Sequence, residues 1–184
     1  AGMIFFLSTV QPATKEEIST LDVAETVLQK GLSTIDLGLY PGILLMHGMS
    51  EMAMLDESGE KLREAVAIFR KYKTEEIKGR GNFISYEPGG SGAAYLSWKG
   101  VAPALDAQVE EAAIRFFRDQ KRSPEGLMTS KHAKDTLEQL FIDVAFAVTP
   151  YLLYSGLKMG NQEYVDFAVR ETLELFRILK DSKT

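Results

Sequence analysis

The residue best suited to chemistry in this chain is Asp143, the only charged residue between positions 141 and 157. Gln139 lies four residues before it, and His132, one of two histidines in the chain, lies eleven residues before it. An unpaired carboxylate in apolar surroundings is costly, so a fold retains one there only for a reason. Asp143 is therefore either the N-cap of the apolar helix that follows it, which contributes about 1 kcal/mol, or a general acid or base.

Three other sites carry weaker signals. His47 lies in an apolar stretch, which predicts a core histidine, and no second histidine stands at metal-ligand spacing. Glu87 has the context of an ordinary loop carboxylate. The segment Gly89-Gly90-Ser91-Gly92 lacks the lysine of a phosphate-binding loop, so we predict a turn that opens the next helix. These patterns predict neither a metal site nor a cofactor.

Composition excludes several classes of protein. The net charge of -5 argues against a nucleic-acid partner, and no apolar run approaches the length of a membrane span. The absence of cysteine excludes disulfides and leaves the compartment open between bacterial cytoplasm, periplasm and secretion. A chain of 184 residues can bury one sizeable core, so we predict a single domain over residues 1–184.

Helical periodicity predicts an all-α fold. Residues 62–72, 105–116 and 163–181 each have one apolar and one polar face. Residues 38–55 and 141–157 carry almost no charge and are predicted to be helices buried on all sides. In the last helix we expect five residues to form the buried face: Tyr164, Ala168, Leu175, Phe176 and Leu179.

The helices alternate between buried and amphipathic, and the alternation repeats. Turns at residues 56–59 and 159–162 each join a buried helix to an amphipathic one. A repeat of about 50 residues is the size of one α-hairpin, which indicates a solenoid or a closed toroid of hairpins. Full burial of the inner helices would favour the toroid.

Residues 126–184 resemble the unsaturated glucuronyl and rhamnogalacturonyl hydrolases, glycoside hydrolase families 88 and 105. In that family a loop ending in histidine leads to a helix that begins Gln-Met-Trp-hydrophobic-Asp. Here His132 is followed, without a gap in register, by Gln139-Leu140-Phe141-Ile142-Asp143. Tyr40 and Gly42 lie near the position of an aromatic-plus-glycine element of the family.

The resemblance implies an (α/α)6 toroid of six hairpins, of which this chain would supply the N-terminal half. It also implies that Asp143 protonates the 4,5 double bond of an unsaturated uronic acid and then activates water. On the same ground we expect His132, Gln139, Glu87 and Tyr40 to contact an oligosaccharide substrate. Phe141 replaces the tryptophan of the motif.

Two alternatives remain open at this point. The first is a non-catalytic helical toroid that binds carbohydrate or protein, in which Asp143 is only a cap. The second is a different glycosidase or an epimerase on the same toroid, with Glu87 and Asp143 as its carboxylate pair, which would require a separation of less than about 10 Å. The sequence leaves the oligomeric state undetermined.

Overall fold

The computed structural model describes residues 19–130 and 142–180. These residues form seven α-helices and two short 3-10 helices, and no strand occurs among them. The α-helices are α1 (Thr20–Thr34), α2 (Tyr40–Leu55), α3 (Glu60–Lys73), α4 (Ser91–Trp98), α5 (Asp106–Asp119), α6 (Asp143–Met159) and α7 (Gln162–Leu179). The 3-10 helices are Ile84–Tyr86 and Pro103–Leu105. The predicted all-α class is confirmed.

Local sequence explains several helix ends. Ser19 and Asp22 form a capping box at the start of α1, and the Asn161 side chain accepts from two backbone N–H groups at the start of α7. Gly160 ends α6 in the left-handed conformation that favours glycine. Only that glycine and Asn161 separate α6 from α7, so the two helices form a tight hairpin.

Three helices lie side by side, with α4 between α2 and α6, and the others pack against them. α1 and α3 pack against α2, α5 packs against α4 and α6, and α7 packs against α6. The rings of Tyr40 and Phe146 meet near the starts of α2 and α6, and those of Trp98 and Tyr154 meet near the ends of α4 and α6. α2, α4 and α6 therefore run in the same direction. One hydrophobic core joins buried residues from α1 to α7.

Helix α4 is the most enclosed element, with seven of its eight residues buried. A Cβ atom at Gly92 would lie 2.8 Å from the carbonyl oxygen of Met46, so glycine permits the close approach of α4 to α2. Gly89 and Gly90 adopt positive φ angles, and side chains there would collide with Phe69 and Ile43. The glycine-rich segment is thus the predicted turn that opens a helix.

Two predictions of burial are wrong. α2 and α6 are not buried on all sides, since Leu55 of α2 is 67% exposed and Leu157 of α6 is 43% exposed. In α7, Phe176 is 60% exposed and Leu179 is 40% exposed. Phe176 lies away from the face that contacts α6, which residues 164, 168, 171 and 175 occupy at the helical period, and Leu179 is the last residue of α7.

Within the described ranges, no helix has the length and apolar character needed to cross a lipid bilayer.

Candidate functional site

Asp143 is the first residue of α6, and it is exposed. The N-cap position belongs to Ile142, and no hydrogen bond to the Asp143 carboxylate occurs among the described residues. The interpretation of Asp143 as a plain N-cap is therefore wrong. Its negative charge in the first turn still interacts favourably with the helix dipole.

Tyr86 lies close to both Asp143 and Tyr40. Burial raises the pKa of the Tyr86 phenol well above its usual range, and the neighbouring Asp143 charge and Tyr40 phenol raise that pKa further. The Tyr40 ring meets the edge of the Phe146 ring, with 5.9 Å between their centroids. Thus the fold brings Tyr40 and Asp143, two of the predicted site residues, to the same end of the α2–α4–α6 layer.

A continuous set of aromatic rings extends from this end along the layer. Its members, here called the aromatic wall, are Tyr40, His47, Tyr95, Trp98, Phe146 and Tyr154. Neighbouring centroids lie 6.1 Å apart for His47 and Phe146, and 6.2 Å apart for His47 and Tyr95. Tyr154 lies 5.4 Å from Tyr95 and stacks on Trp98 at 5.3 Å with an interplanar angle of 12°. All of these rings except Tyr95 are partly or substantially exposed.

His47 lies in the middle of the aromatic wall with its side chain 24% exposed, so it is not the enclosed core histidine expected from its neighbours. Its Nδ1 is 3.2 Å from the Ser91 hydroxyl oxygen, and its Nε2 is 3.8 Å from the Glu51 carboxylate. Partial burial lowers the pKa of His47, and the charge of Glu51 opposes that change. Glu51 is a second carboxylate on this surface, and the sequence pattern had not indicated it.

Charged groups flank the far end of the wall. The Lys99 ammonium lies over the Trp98 ring, 4.3 Å from its centroid, and 5.5 Å from that of Tyr95. Burial raises the pKa of Tyr154, and the nearby Glu51 charge adds to the effect. The wall thus combines partly exposed aromatic rings with a carboxylate near each end and a cation at one end.

Glu87 has a different environment. Its carboxylate forms an ion pair with Arg115 of α5. Together with Tyr72 and Gln108, the pair lines a cavity of about 500 Å³ between α3 and α5. No contact between Glu87 and Asp143 occurs in the described part of the chain. His132 and Gln139, the other two predicted substrate contacts, lie outside the described residues.

A buried carboxylate at Glu171 of α7 was missed by sequence reasoning. Its side chain has no exposed surface, and its Oε1 accepts a hydrogen bond from the Met128 backbone N–H at 2.8 Å. Burial raises the pKa of Glu171 to about 7, although Arg122 and Arg170 lower it in part. The helical spacing could have predicted the burial of Glu171, because position 171 follows Tyr164 and Ala168 on the buried face of α7.

Among the described residues, no cluster of three or more acidic or histidine side chains is arranged to hold a metal ion. Comparison with protein-family models, curated proteins and solved structures gave no match.

Proposed function

We propose that this chain is a glycoside hydrolase that hydrates the 4,5 double bond of unsaturated uronyl oligosaccharides, with Asp143 as its acid and base. The observation that carries the proposal is the position of Asp143. Its carboxylate is exposed, has no hydrogen bond to another described residue, and lies at one end of an aromatic wall. A carboxylate that neither caps a helix nor pairs with another described residue can exchange protons with a bound molecule.

The aromatic wall supports a sugar as the bound molecule. Aromatic side chains present broad apolar faces that can pack against a ligand, and the tyrosines add hydroxyl groups that can hydrogen-bond to it. Tyr40 is 36% exposed next to the Asp143 end, and Trp98 and Tyr154 form a stacked pair at the other. A ligand that extends along the wall from Asp143 would therefore meet several rings in succession.

The chemistry needs only one titratable group in contact with the double bond. A proton moves from the Asp143 carboxyl to C4, which leaves an oxocarbenium ion at C5 stabilised by the ring oxygen. The Asp143 carboxylate then removes a proton from water while the water oxygen bonds to C5, so the acid is regenerated. The resulting hemiketal opens to a C5 ketone, and C1 releases the remaining oligosaccharide as an alcohol. One water molecule is consumed for each glycosidic bond that is broken.

We also propose that the helices form part of an (α/α)6 toroid. The support is the layer of α2, α4 and α6 running in one direction, with α3, α5 and α7 returning along its outside. This is the alternation that an α-hairpin toroid repeats around its axis. The aromatic wall would then face the axis of the toroid.

The test is turnover of unsaturated disaccharides released by pectin and glycosaminoglycan lyases, followed by loss of the ultraviolet absorbance of the double bond. The reaction in D₂O should place deuterium at C4. Asp143→Asn should lower kcat by a factor of about 10² to 10⁴. Glu60→Gln is the matched control, because Glu60 is also an exposed acid at the first position of a helix.

Other outcomes would identify the alternatives. Cleavage that leaves the double bond intact would indicate an ordinary glycosidase, and a requirement for Glu87 would then implicate a carboxylate pair. Binding of the disaccharides without turnover of any of them would indicate a non-catalytic carbohydrate-binding module. Either result would overturn the proposal.

A further inference from the structure

Helix α7 carries a second apolar face, on the side away from α6. Val169, Leu173 and Phe176 are 51%, 64% and 60% exposed and follow one another at i, i+4 and i+7. These three residues are here called the outer stripe. The opposite side of α7 packs into the core. A helix that is apolar on two faces is normally covered on both.

Charge is distributed unequally along the outer side of α7. Glu163 and Asp166 lie near its N-terminal end, and Arg177 and Lys180 lie near its C-terminal end. Arg177 pairs with Glu174 on the same helix at 2.7 Å. Lys180, at the end of α7, makes no ion pair with any described residue.

We propose that a second copy of this chain docks on the outer stripe, with the two α7 helices antiparallel about a twofold axis. In that arrangement Asp166 of each copy lies toward the partner's Lys180, and the apolar residues of the two stripes face each other. Parallel helices would instead bring like charges together at both ends. Antiparallel pairing also aligns the helix dipoles favourably, and a twofold axis lets one surface serve both copies.

The outer stripe contains only three large side chains, so the dimer is weak and depends on concentration. This inference is independent of the proposed function, because the outer stripe lies on α7 and the aromatic wall lies on α2, α4 and α6. Enzymatic activity and self-association can therefore be tested separately.

The experiment is sedimentation velocity on the 184-residue chain over a range of about 1 μM to about 500 μM. The weight-average mass should rise toward twice that of the chain. Leu173→Glu should hold the protein at the monomer mass, and Phe176→Ser should do the same if the first variant fails to fold. Leu55→Glu is the matched control, because Leu55 is 67% exposed but lies on α2.

Charge reversal tests the orientation. Asp166→Lys alone and Lys180→Glu alone should each weaken association, and the double variant should restore it. A mass that stays monomeric at every concentration would overturn the proposal. Association that survives Leu173→Glu and Phe176→Ser would also overturn it. So would loss of association in Leu55→Glu, or failure of the double variant Asp166→Lys with Lys180→Glu to restore association.

Discussion

The backbone N–H of Met128 donates a 2.8 Å hydrogen bond to Glu171, although neither residue has exposed surface. The second carboxylate oxygen of Glu171 has no hydrogen-bond partner among the described residues. Burial therefore outweighs the single hydrogen bond, and the pKa of Glu171 is raised from 4.5 to about 7. The carboxyl group connects α7 to the turn at residues 121–130.

This raised pKa predicts a pH dependence of stability. Between pH 4.5 and about 7 the folded chain holds more protons at Glu171 than the unfolded chain, so the free energy of unfolding falls as pH rises through that window. Glu171→Gln keeps an acceptor for Met128 and removes the charge. We expect the variant to be more stable than the wild type at pH 8, by up to about 3 kcal/mol, and little changed at pH 4.5.

Urea unfolding at the two pH values measures the effect. Glu174→Gln is the control, because Glu174 is on the same helix but its side chain is 40% exposed. If Glu171→Gln and the wild type show the same change in stability between pH 4.5 and pH 8, Glu171 does not titrate as described.

The His47 and Glu51 pair makes a second prediction. Burial lowers the pKa of His47 below 6.5, and Glu51 partly offsets this, so Glu51→Gln should lower the pKa of His47 further. Because the folded chain then binds fewer protons than the unfolded chain, the variant should lose more stability as pH falls below 6.5. NMR titration of the imidazole resonances measures the pKa, with His132→Gln to assign the two histidines. A pKa that rises or stays constant would refute the assigned role of Glu51.

Gly48 of α2 and Gly92 of α4 allow a comparison between an open and a tightly packed glycine position. A Cβ atom at Gly92 would lie 2.7 Å from the Ser50 hydroxyl oxygen, so Gly92→Ala should destabilise the fold by about 1–3 kcal/mol. A Cβ atom at Gly48 would have no neighbour within 4 Å, so Gly48→Ala should stabilise α2 by about 0.5–1 kcal/mol. Chemical denaturation of both variants tests the two signs. Equal effects would contradict the close contact between α2 and α4.

The stacked pair of Trp98 and Tyr154 makes a prediction that depends on the proposed function. Tyr154 lies eleven residues after Asp143 on α6, which places its Cα roughly 16 Å farther along the helix axis. Trp98→Ala should therefore weaken binding of longer oligosaccharides by about 1 kcal/mol and leave disaccharide binding nearly unchanged. Calorimetry with ligands of both lengths measures this. Equal loss for both lengths would show that the far end of the wall is not a separate contact.

Much of the helical organisation could be predicted because it depends on local properties. The periodic apolar residues of α3 and α5, the turn at 56–59 and the glycine-rich start of α4 all appear as expected. The exposure of Phe176 could not be read in the same way. Apolar residues of α7 lie on more than one side of the helix, and the contact with α6 determines which of them are covered.

Some features of the candidate site could likewise be predicted from local sequence, and others depend on packing between helices. Asp143 at the start of an apolar helix was visible from its isolation among uncharged residues, since charge and hydropathy are properties of the residues themselves. Only the tertiary structure decided that Tyr40 and Asp143 lie at the same end of the α2–α4–α6 layer, that Glu51 lies beside His47, and that Glu171 is buried. These relationships join residues far apart in the chain, or depend on which face of a helix is covered, and packing between helices determines both.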